Sequence, residues 1–475
     1  MTQAINLQIT TQGNDMTSNL LKFFTTGALL FSSSFAVAIP FSSFDTRSMA
    51  MGGAGVAVGG ADAAPLFNPA LLSVANDKDK FSIIFPTVGI RVADPDKLLD
   101  SVDKFQAGNY VNNLQLSVNA LNLAITNATN SPSSGTIAAI STPANNTSIN
   151  LAAVNTQLAT LSNKPVMVDG GIATVVGIPS RKLGVAFFAN GSVATGGLFQ
   201  YKDAATLLAL SNQSSCLAAA AALPTTTAGE IAAANTAINA CGTNVNFNSN
   251  TLTSGINFRG VVLSEFGFSL SREFHPFNKS YAFGITPKIV KATLFDALIN
   301  VNNSNQTGVT GADYIAEYNI ANFDLGAAKD YNNGWRSGFV IKNVIPYKLD
   351  FKSIPLGAPS GSTPVATGNT LTLNPQARLG VSHATSWSTV ALDVDLTRND
   401  PSGLEKNTQY IALGGELNAF GWAQIRAGYR VDMVDSARNI TSLGLGLSPF
   451  GAHVDLAVAG NANEVGASLQ LGFRY

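Results

Sequence analysis

The sequence predicts an all-β chain: an outer-membrane-type antiparallel β-barrel of about fourteen strands, with an amino-terminal plug and helical insertions in its extracellular loops. Three observations predict it. From Val465 to Tyr475 the chain alternates strictly, with Val465, Ala467, Leu469, Leu471, Phe473 and Tyr475 opposed by Gly466, Ser468, Gln470, Gly472 and Arg474. A strand sends successive side chains to opposite faces, so one face here is apolar and the other small or polar. The connections alternate between long and short, as extracellular loops and periplasmic turns do in such barrels. Charged residues make up only 12% of the chain, about half the usual share of roughly 25%.

The amino terminus reads as a targeting signal. Lys22 precedes the apolar run FFTTGALLFSSSFAVA, which ends in Ala36-Val37-Ala38. That order of positive region, hydrophobic core and small-x-small site predicts a signal peptide over residues 1–38, cleaved after Ala38. Met1–Asp15 is polar and unlike a signal, so Met16 is a candidate start. Residues 39–79 hold the stretch RSMAMGGAGVAVGGADAAPLFNPALL. Its small residues allow close packing and tight turns. No phosphate-binding loop pattern follows a strand here, so the segment reads as a compact hatch filling a lumen.

Residues 80–475 then form the barrel. Strands are expected near 80–92, 166–178, 182–193, 255–273, 279–295 and 318–330, followed by eight shorter alternating runs. Among these, Trp335, Phe339 and Ile341 oppose Arg336 and Lys342, and Leu379 and Val381 oppose Arg378. Further on, Leu392 and Val394 oppose Asp393 and Asp395, and Leu413 and Leu417 oppose Glu416. Ile425 and Tyr429 oppose Arg426 and Arg430, and Val454 and Leu456 oppose Asp455. Between the strands, 93–165, 194–254, 296–317 and 347–367 are long connections, whereas PSRK and DYNN are tight turns. An even strand count puts both termini in the periplasm. Past residue 40 no run of about 18 apolar residues appears, so no transmembrane helix is expected. Mean hydropathy is only +0.19, which suits a barrel that hides its membrane signal in alternation.

Two inserts break the pattern. In 95–162, Leu98, Leu99, Val102 and Phe105, and later Leu151, Val154, Leu158 and Leu161, recur at spacings of amphipathic helices. Residues 202–240 are Ala-rich and also read as helical. Cys216 and Cys241 bracket this second insert. An exported chain meets an oxidising compartment, so the pair is expected as a disulfide, two free thiols being the alternative.

The inward face carries Arg336, Lys342, Arg378, Asp393, Asp395, Glu416, Arg426, Arg430, Asp455 and Arg474. Facing lipid, such charges would cost about 2–4 kcal/mol each at the midplane. A salt-bridged lumen lining is the expected role. Asp393 and Asp395 share a strand face and offer a carboxylate pair for acid–base work, but an Arg-paired lining explains them better. His275, His383 and His453 all fall at predicted periplasmic turns, away from the lumen. No G-x-S-x-G nucleophile pattern occurs, and no CxxC or nearby histidine suggests a metal site. The chain is expected to be no enzyme and to need no cofactor, and a net charge of −1 argues against nucleic-acid binding.

The Gly/Ala-rich stretch ending in Phe67-Asn68-Pro69-Ala70, followed by a barrel ending on an aromatic residue, resembles the FadL superfamily of outer-membrane transporters. Within it, YAFGITPKIVKA, FDLGAAKDYNNGWRSGFVIKNVIP, LDVDLTRNDP, TQYIALGGEL and LGLGLSPFGAHVDLAVAG are most similar to the plasmid-transfer TraF-type family, distinct from the thioredoxin-like TraF. The resemblance covers residues 45–92 and about 255–475. It implies a hatch carrying Asn68, Pro69 and Ala70, and passive passage of hydrophobic molecules such as long-chain fatty acids or aromatic hydrocarbons. It also implies sideways release into the membrane lipid, for which Asn190-Gly191, interrupting the third strand, is the candidate opening. Phe473 and Tyr475 would be the carboxy-terminal signal for the barrel assembly machinery. The alternative role is a structural or interaction component of a conjugal-transfer assembly in the cell envelope.

Overall fold

The alternation at the carboxy terminus sorts the side chains of the last strand. In the computed structural model Val465, Leu469, Leu471 and Phe473 lie exposed on the outer surface, while Ser468 and Gln470 are buried inside. The structure describes residues 44–74, 80–249, 252–276, 279–300, 314–331, 333–353, 363–399 and 407–475. The expected signal peptide, the Met16 start and both ends of the 39–79 hatch segment lie outside the described residues.

Seven strands come first: β1 (Ser82–Ala93), β2 (Pro165–Ile178), β3 (Gly184–Gln200), β4 (Gly255–Phe274), β5 (Tyr281–Asn300), β6 (Ile315–Asp330) and β7 (Trp335–Lys342). A hairpin of β8 (Tyr347–Ser353) and β9 (Val365–Leu373) follows. Then come β10 (Gln376–Ala384), β11 (Ser388–Asp395), β12 (Tyr410–Ala419) and β13 (Ala423–Asp432). The chain ends with β14 (Ile440–Leu447), β15 (Ala452–Gly460) and β16 (Glu464–Arg474). β1–β7 and β10–β16 form one closed antiparallel barrel, sealed by β1 against β16, and β8–β9 form a separate sheet. A closed ladder leaves no strand edge in lipid.

The wall is uneven in height. β4 and β5 have 20 residues each, whereas β14 has 8. At about 3.4 Å per residue that is roughly 68 Å of strand against roughly 27 Å. A crossing strand needs only about 9–11 residues, so β2–β6 project well beyond the short side. On β5 the outward residues Phe283, Ile285 and Ile289 are exposed and apolar. The next outward residue, Lys291, pairs with Glu317 of β6 at 2.8 Å. This exposed ion pair marks where the apolar belt ends. At the opposite end, Lys329 sits over the rings of Tyr281 and Tyr331, a cation–aromatic arrangement suited to the interface.

Among the described residues six helices build a cap at one end of the barrel: α3 (Leu98–Ala107), α4 (Tyr110–Asn130), α5 (Ser134–Ala138) and α6 (Ser141–Leu161) between β1 and β2, and α7 (Ala204–Ala221) and α8 (Ala228–Cys241) between β3 and β4. Leu114, Leu121, Ile125, Leu151, Val154, Leu158 and Leu217 form their core together with Val166, Phe199, Ile256 and Phe258 of the tall strands. Those four strand residues share the parity of the outward-facing positions, so the helices lean on the outer surface of the projecting wall. Cys216 and Cys241 are joined, with Cα atoms 5.7 Å apart, and tie α7 to the end of α8.

Two expectations need correction here. The connection expected as a long loop at 347–367 contains the β8–β9 hairpin. Its alternation in Tyr347-Lys348-Leu349-Asp350-Phe351 is as regular as that of the wall. The third strand is not interrupted at Asn190-Gly191. Asn190 pairs with Ala173 and Glu265, and Gly191 with Ile172 and Ser264, in unbroken register. A glycine inside a strand need not bend it when both neighbours keep the ladder, as β2 and β4 do here.

Candidate functional site

The lumen is occupied by the chain's own amino-terminal segment. Residues 44–74 are largely buried and carry two short helices, α1 (Thr46–Ala50) and α2 (Ala64–Phe67), and a 3₁₀ turn over Pro69–Ser73. Local chemistry sets their starts. The Asp45 side chain accepts from Ser48 N–H at 2.8 Å and caps α1, Pro65 stands in the first turn of α2, and Asn68 Oδ1 accepts from Ala70 N–H at 3.1 Å.

Asn68 links this hatch to the wall. Fully buried, its Nδ2 donates to Val56 O within the hatch at 3.1 Å and to Ala327 O of β6 at 3.0 Å. Pro69 and Ala70 lie against Gly284 and Gly326, where any Cβ would run into the hatch backbone or the Asn68 side chain. Across the lumen, Met51 and Gly52 approach Gly414 and Gly428 as closely. Wall glycines at these points let main chain meet main chain.

Most of the inward charges found in the sequence hold the hatch. Arg336 donates to Val74 O at 3.0 Å and to Asp330 at 3.1 Å. Lys342 donates to Leu66 O at 2.9 Å. Arg378 pairs with Asp395 at 2.5 Å and donates to Gly53 O at 3.3 Å. Asp393 accepts from Gly55 N–H at 2.8 Å and Val56 N–H at 2.9 Å. The two aspartates are thus engaged separately, one by backbone amides and one by a guanidinium. Glu416 takes Arg47 of the hatch at 2.7 Å and Arg426 at 2.7 Å, and Arg426 continues to Asp455 at 2.5 Å. Arg474 reaches Asp62 of the hatch at 2.7 Å. Arg430 lies 4.3 Å over the Tyr410 ring and 3.6 Å from Glu464. His453 corrects the sequence reading: although it sits beside a turn, its side chain is largely covered and its Nε2 lies 3.8 Å from Asp62 Oδ2. It faces the hatch because it begins β15 on the same side as Asp455.

The sequence reading missed Arg47, Asp62 and a second layer of buried charge. Lys288 of β5, with a fully buried side chain, lies between Glu265 and Asp324 at 2.9 Å from each. Two residues per step further along the strand, the wall turns apolar. Val261, Leu263, Val290, Ala292, Leu294 and Ala316 form a strip on the inner face of β4–β6, and Leu349, Phe351, Leu371 and Leu373 of the hairpin pack on it. Burying each of these larger side chains is worth about 1.5–3 kcal/mol. Among the described residues no ladder joins hairpin to barrel. Its side-chain links include Tyr318 Oη to Asp350 O at 2.8 Å, Tyr347 Oη to Ala321 O at 2.9 Å, and Asn369 Nδ2 to Asp296 Oδ2 at 3.0 Å, and Arg259 of β4 lies 5.5 Å over the Phe351 ring.

On the lipid-facing side lies an apolar groove of about 470 Å³ lined by Thr174, Val176, Phe187, Phe188, Ala189, Phe266, Gly267 and Phe268. Phe188 also belongs to the apolar cluster of the hatch, with Leu66, Phe67, Leu71 and Leu72. Beside it the β4–β5 ladder lapses. Pairing runs from Phe274–Tyr281 to Leu270–Ile285 and resumes at Gly267–Lys288, leaving Phe268 opposite Pro287. Proline has no N–H to give the ladder.

A closed barrel with an apolar outer belt, a plugged lumen and a helical cap at one end defines an outer-membrane β-barrel protein. The chain belongs to the family described as F plasmid transfer operon, TraF, protein, whose family model matches residues 65–395. Among solved structures it is similar to the Ralstonia pickettii toluene transporter TbuX, with 12% identity over 92% of this chain and 99% of that one, at a TM-score of 0.46. The P. putida toluene transporter TodX gives 12% identity, 92% and 99% coverage and a TM-score of 0.44. A Pseudomonas aeruginosa FadL homologue gives 11%, 93% and 99%, and 0.45. Among curated proteins nothing matches the chain.

Proposed function

We propose that the protein gives hydrophobic small molecules a passive route across the outer membrane, with long-chain fatty acids and aromatic hydrocarbons as the substrate classes to test. One observation carries this reading. Phe188 belongs both to the hatch's apolar cluster and to the groove on the lipid-facing wall, so apolar surface runs from the lumen plug to the membrane. On this reading release is sideways, past Phe188 and Gly267 beside Pro287, and not at Asn190-Gly191. The termini face the periplasm, the cap faces outward, and residues 1–38 are a cleaved signal.

The test is uptake of labelled long-chain fatty acid and of a small aromatic hydrocarbon by a deletion strain and its complemented parent. Loss restored by the gene supports passage; unchanged uptake of both counts against it. A second reading, a structural component of a conjugal-transfer assembly, is favoured by the family description. Plasmid transfer frequency in the same strains tests it.

A further inference from the structure

We infer that the exposed face of α4 is the contact through which a second copy of this chain pairs with the first in the same membrane. The inference is independent of the passage reading.

α4 is apolar on two sides. Leu114, Val118, Leu121 and Ile125 face the core of the cap. On the opposite side of the helix Asn112, Leu116, Asn119, Ala120, Leu123 and Asn127 are exposed, with Leu116 at 59% and Leu123 at 64%. Asn112, Leu116, Asn119 and Leu123 follow one another at spacings of four and three, the rhythm of a coiled-coil seam. Single exposed leucines are ordinary, but two in one stripe along a helix mark a contact surface.

Composition decides what covers it. From Phe105 to Asn163 the chain has no charged residue, and past Tyr110 no aromatic one. A well-dissolved surface carries about 25–35% charged residues, whereas depletion of charge marks the centre of a protein–protein interface. A phosphate-bearing head group would find no cation on this face, and a sugar no ring to stack on. Hydrocarbon does not reach it. The core of the cap packs on Ile256 and Phe258, further along β4 than Ser264, which pairs with Lys291 where the apolar belt ends. A strongly charged protein would leave its own charges unmatched.

A second copy meets every condition. Leucine packs on leucine, and asparagine, which carries both a donor and an acceptor, pairs with asparagine. In a twofold pair the middle of the stripe, Asn119 and Ala120, meets itself whichever way the two helices run. One helix seam is smaller than the roughly 1,200 Å² of a stable interface between soluble proteins. Two copies confined to one bilayer need less, because confinement raises their effective concentration.

The test uses the full chain in outer membranes, coexpressed as two copies with different tags. Cys216 and Cys241 are joined, so a thiol added by Ala120→Cys is the one a short bismaleimide finds. It should give a cross-linked pair carrying both tags, at least tenfold above the yield from Thr156→Cys, an exposed position on α6. Adding Asn119→Asp to both copies, or Asn119→Lys to both, should cut the yield at least fivefold. Asn119→Asp in one copy with Asn119→Lys in the other should restore it, with the barrel's heat-sensitive gel mobility as the folding control. A cross-link to a chain of different mass, a yield no greater than that from Thr156→Cys, or a yield indifferent to the charges at position 119 overturns the pairing.

Discussion

Arg47 and Glu416, 369 positions apart in sequence, form a two-point pair: Nε to Oε2 at 2.9 Å and Nη2 to Oε1 at 2.7 Å. It ties the first helix of the hatch to the wall strand β12. The Arg47 Nη1 also donates to Val58 O at 2.8 Å, so one guanidinium clamps both the hatch loop and the barrel. Glu416 in turn bridges to Arg426.

Glu416 keeps Arg426 when Arg47 is removed, so the loss is that of charge-assisted hydrogen bonds, about 1.5–3 kcal/mol. Arg47→Ala and Glu416→Gln should each speed amide exchange across residues 44–60 by about tenfold or more while strand amides of the barrel stay protected. Arg47→Lys should fall between, because an ammonium cannot make the forked contact. Equal exchange in all three and the parent would show that the hatch is held elsewhere.

Gly428 and Gly415 make a matched comparison. A Cβ at Gly428 would collide with Met51 and Gly52 of the hatch, whereas one at Gly415 meets open space. Gly428→Ala should destabilise the seated hatch by about 1–3 kcal/mol, and Gly415→Ala should be near neutral. Thermal unfolding read from hatch-specific probes checks both. A silent Gly428→Ala would mean that the hatch floats in the lumen.

Asp45 predicts a pH dependence. Burial pushes its carboxyl from the ordinary 3.8 up to about 6, with Asp62 and Asp455 adding to the rise and the Ser48 N–H and Arg47 opposing it. The seated hatch therefore favours neutral Asp45. That contribution is complete below the ordinary carboxylate value and is lost as pH rises through about 6. Asp62, held low by Arg474 and His453 despite burial, works in the opposite sense but only in more acid solution. Hatch protection should thus fall as pH rises from about 4 through about 6, after correction for intrinsic exchange. Asp45→Asn keeps the helix cap and should flatten that profile; an unchanged slope would assign it to another group.

The Cys216–Cys241 bond closes a segment with a sequence separation of 25. A loop of that size is worth roughly 3–4 kcal/mol of unfolded-state restriction. Cys216→Ser with Cys241→Ser should loosen the cap and make α7–α8 protease-sensitive. The barrel, whose ladder is closed elsewhere, should still run faster on an SDS gel before boiling than after it. Joint loss of both properties would mean that the cap and the barrel fold as one unit.

The outward face was legible because its alternation is unopposed: in Leu443-Gly444-Leu445-Gly446-Leu447 every second residue must meet lipid and every other must leave room. The closed antiparallel barrel followed from that pattern together with loop lengths. The hairpin was not legible for the same reason. Periodicity tells which face is apolar but not what covers it. On β4 and β5 both faces are largely apolar, with Val261, Leu263 and Leu294 inside and Phe266, Phe283 and Ile289 outside, so alternation loses contrast where the strip lies. What the inward charges hold carries no sequence signature: hatch backbone for Arg336, Lys342 and Asp393, and side chains distant in sequence for Glu416 and Arg474. His453 was misplaced because turn proximity says nothing about which way a side chain points.

The hatch touches both sides of the barrel's closing seam. Thr87 of β1 donates to Phe44 O at 2.8 Å, and Gln470 of β16 accepts from Thr46 N–H at 3.2 Å. It meets β6 and β12 across the lumen as well. We predict an order of assembly from this: the earliest-made segment has to be seated before the first and last strands join. Cysteines at Ile90 and Ala467, which face each other across the seam, should cross-link in pulse-labelled chains only after residues 44–74 resist protease, and the reverse order would refute it. The plug would then serve as the mandrel on which the cylinder is wound, so that a damaged hatch is felt as a failure to mature before it is felt as a leak.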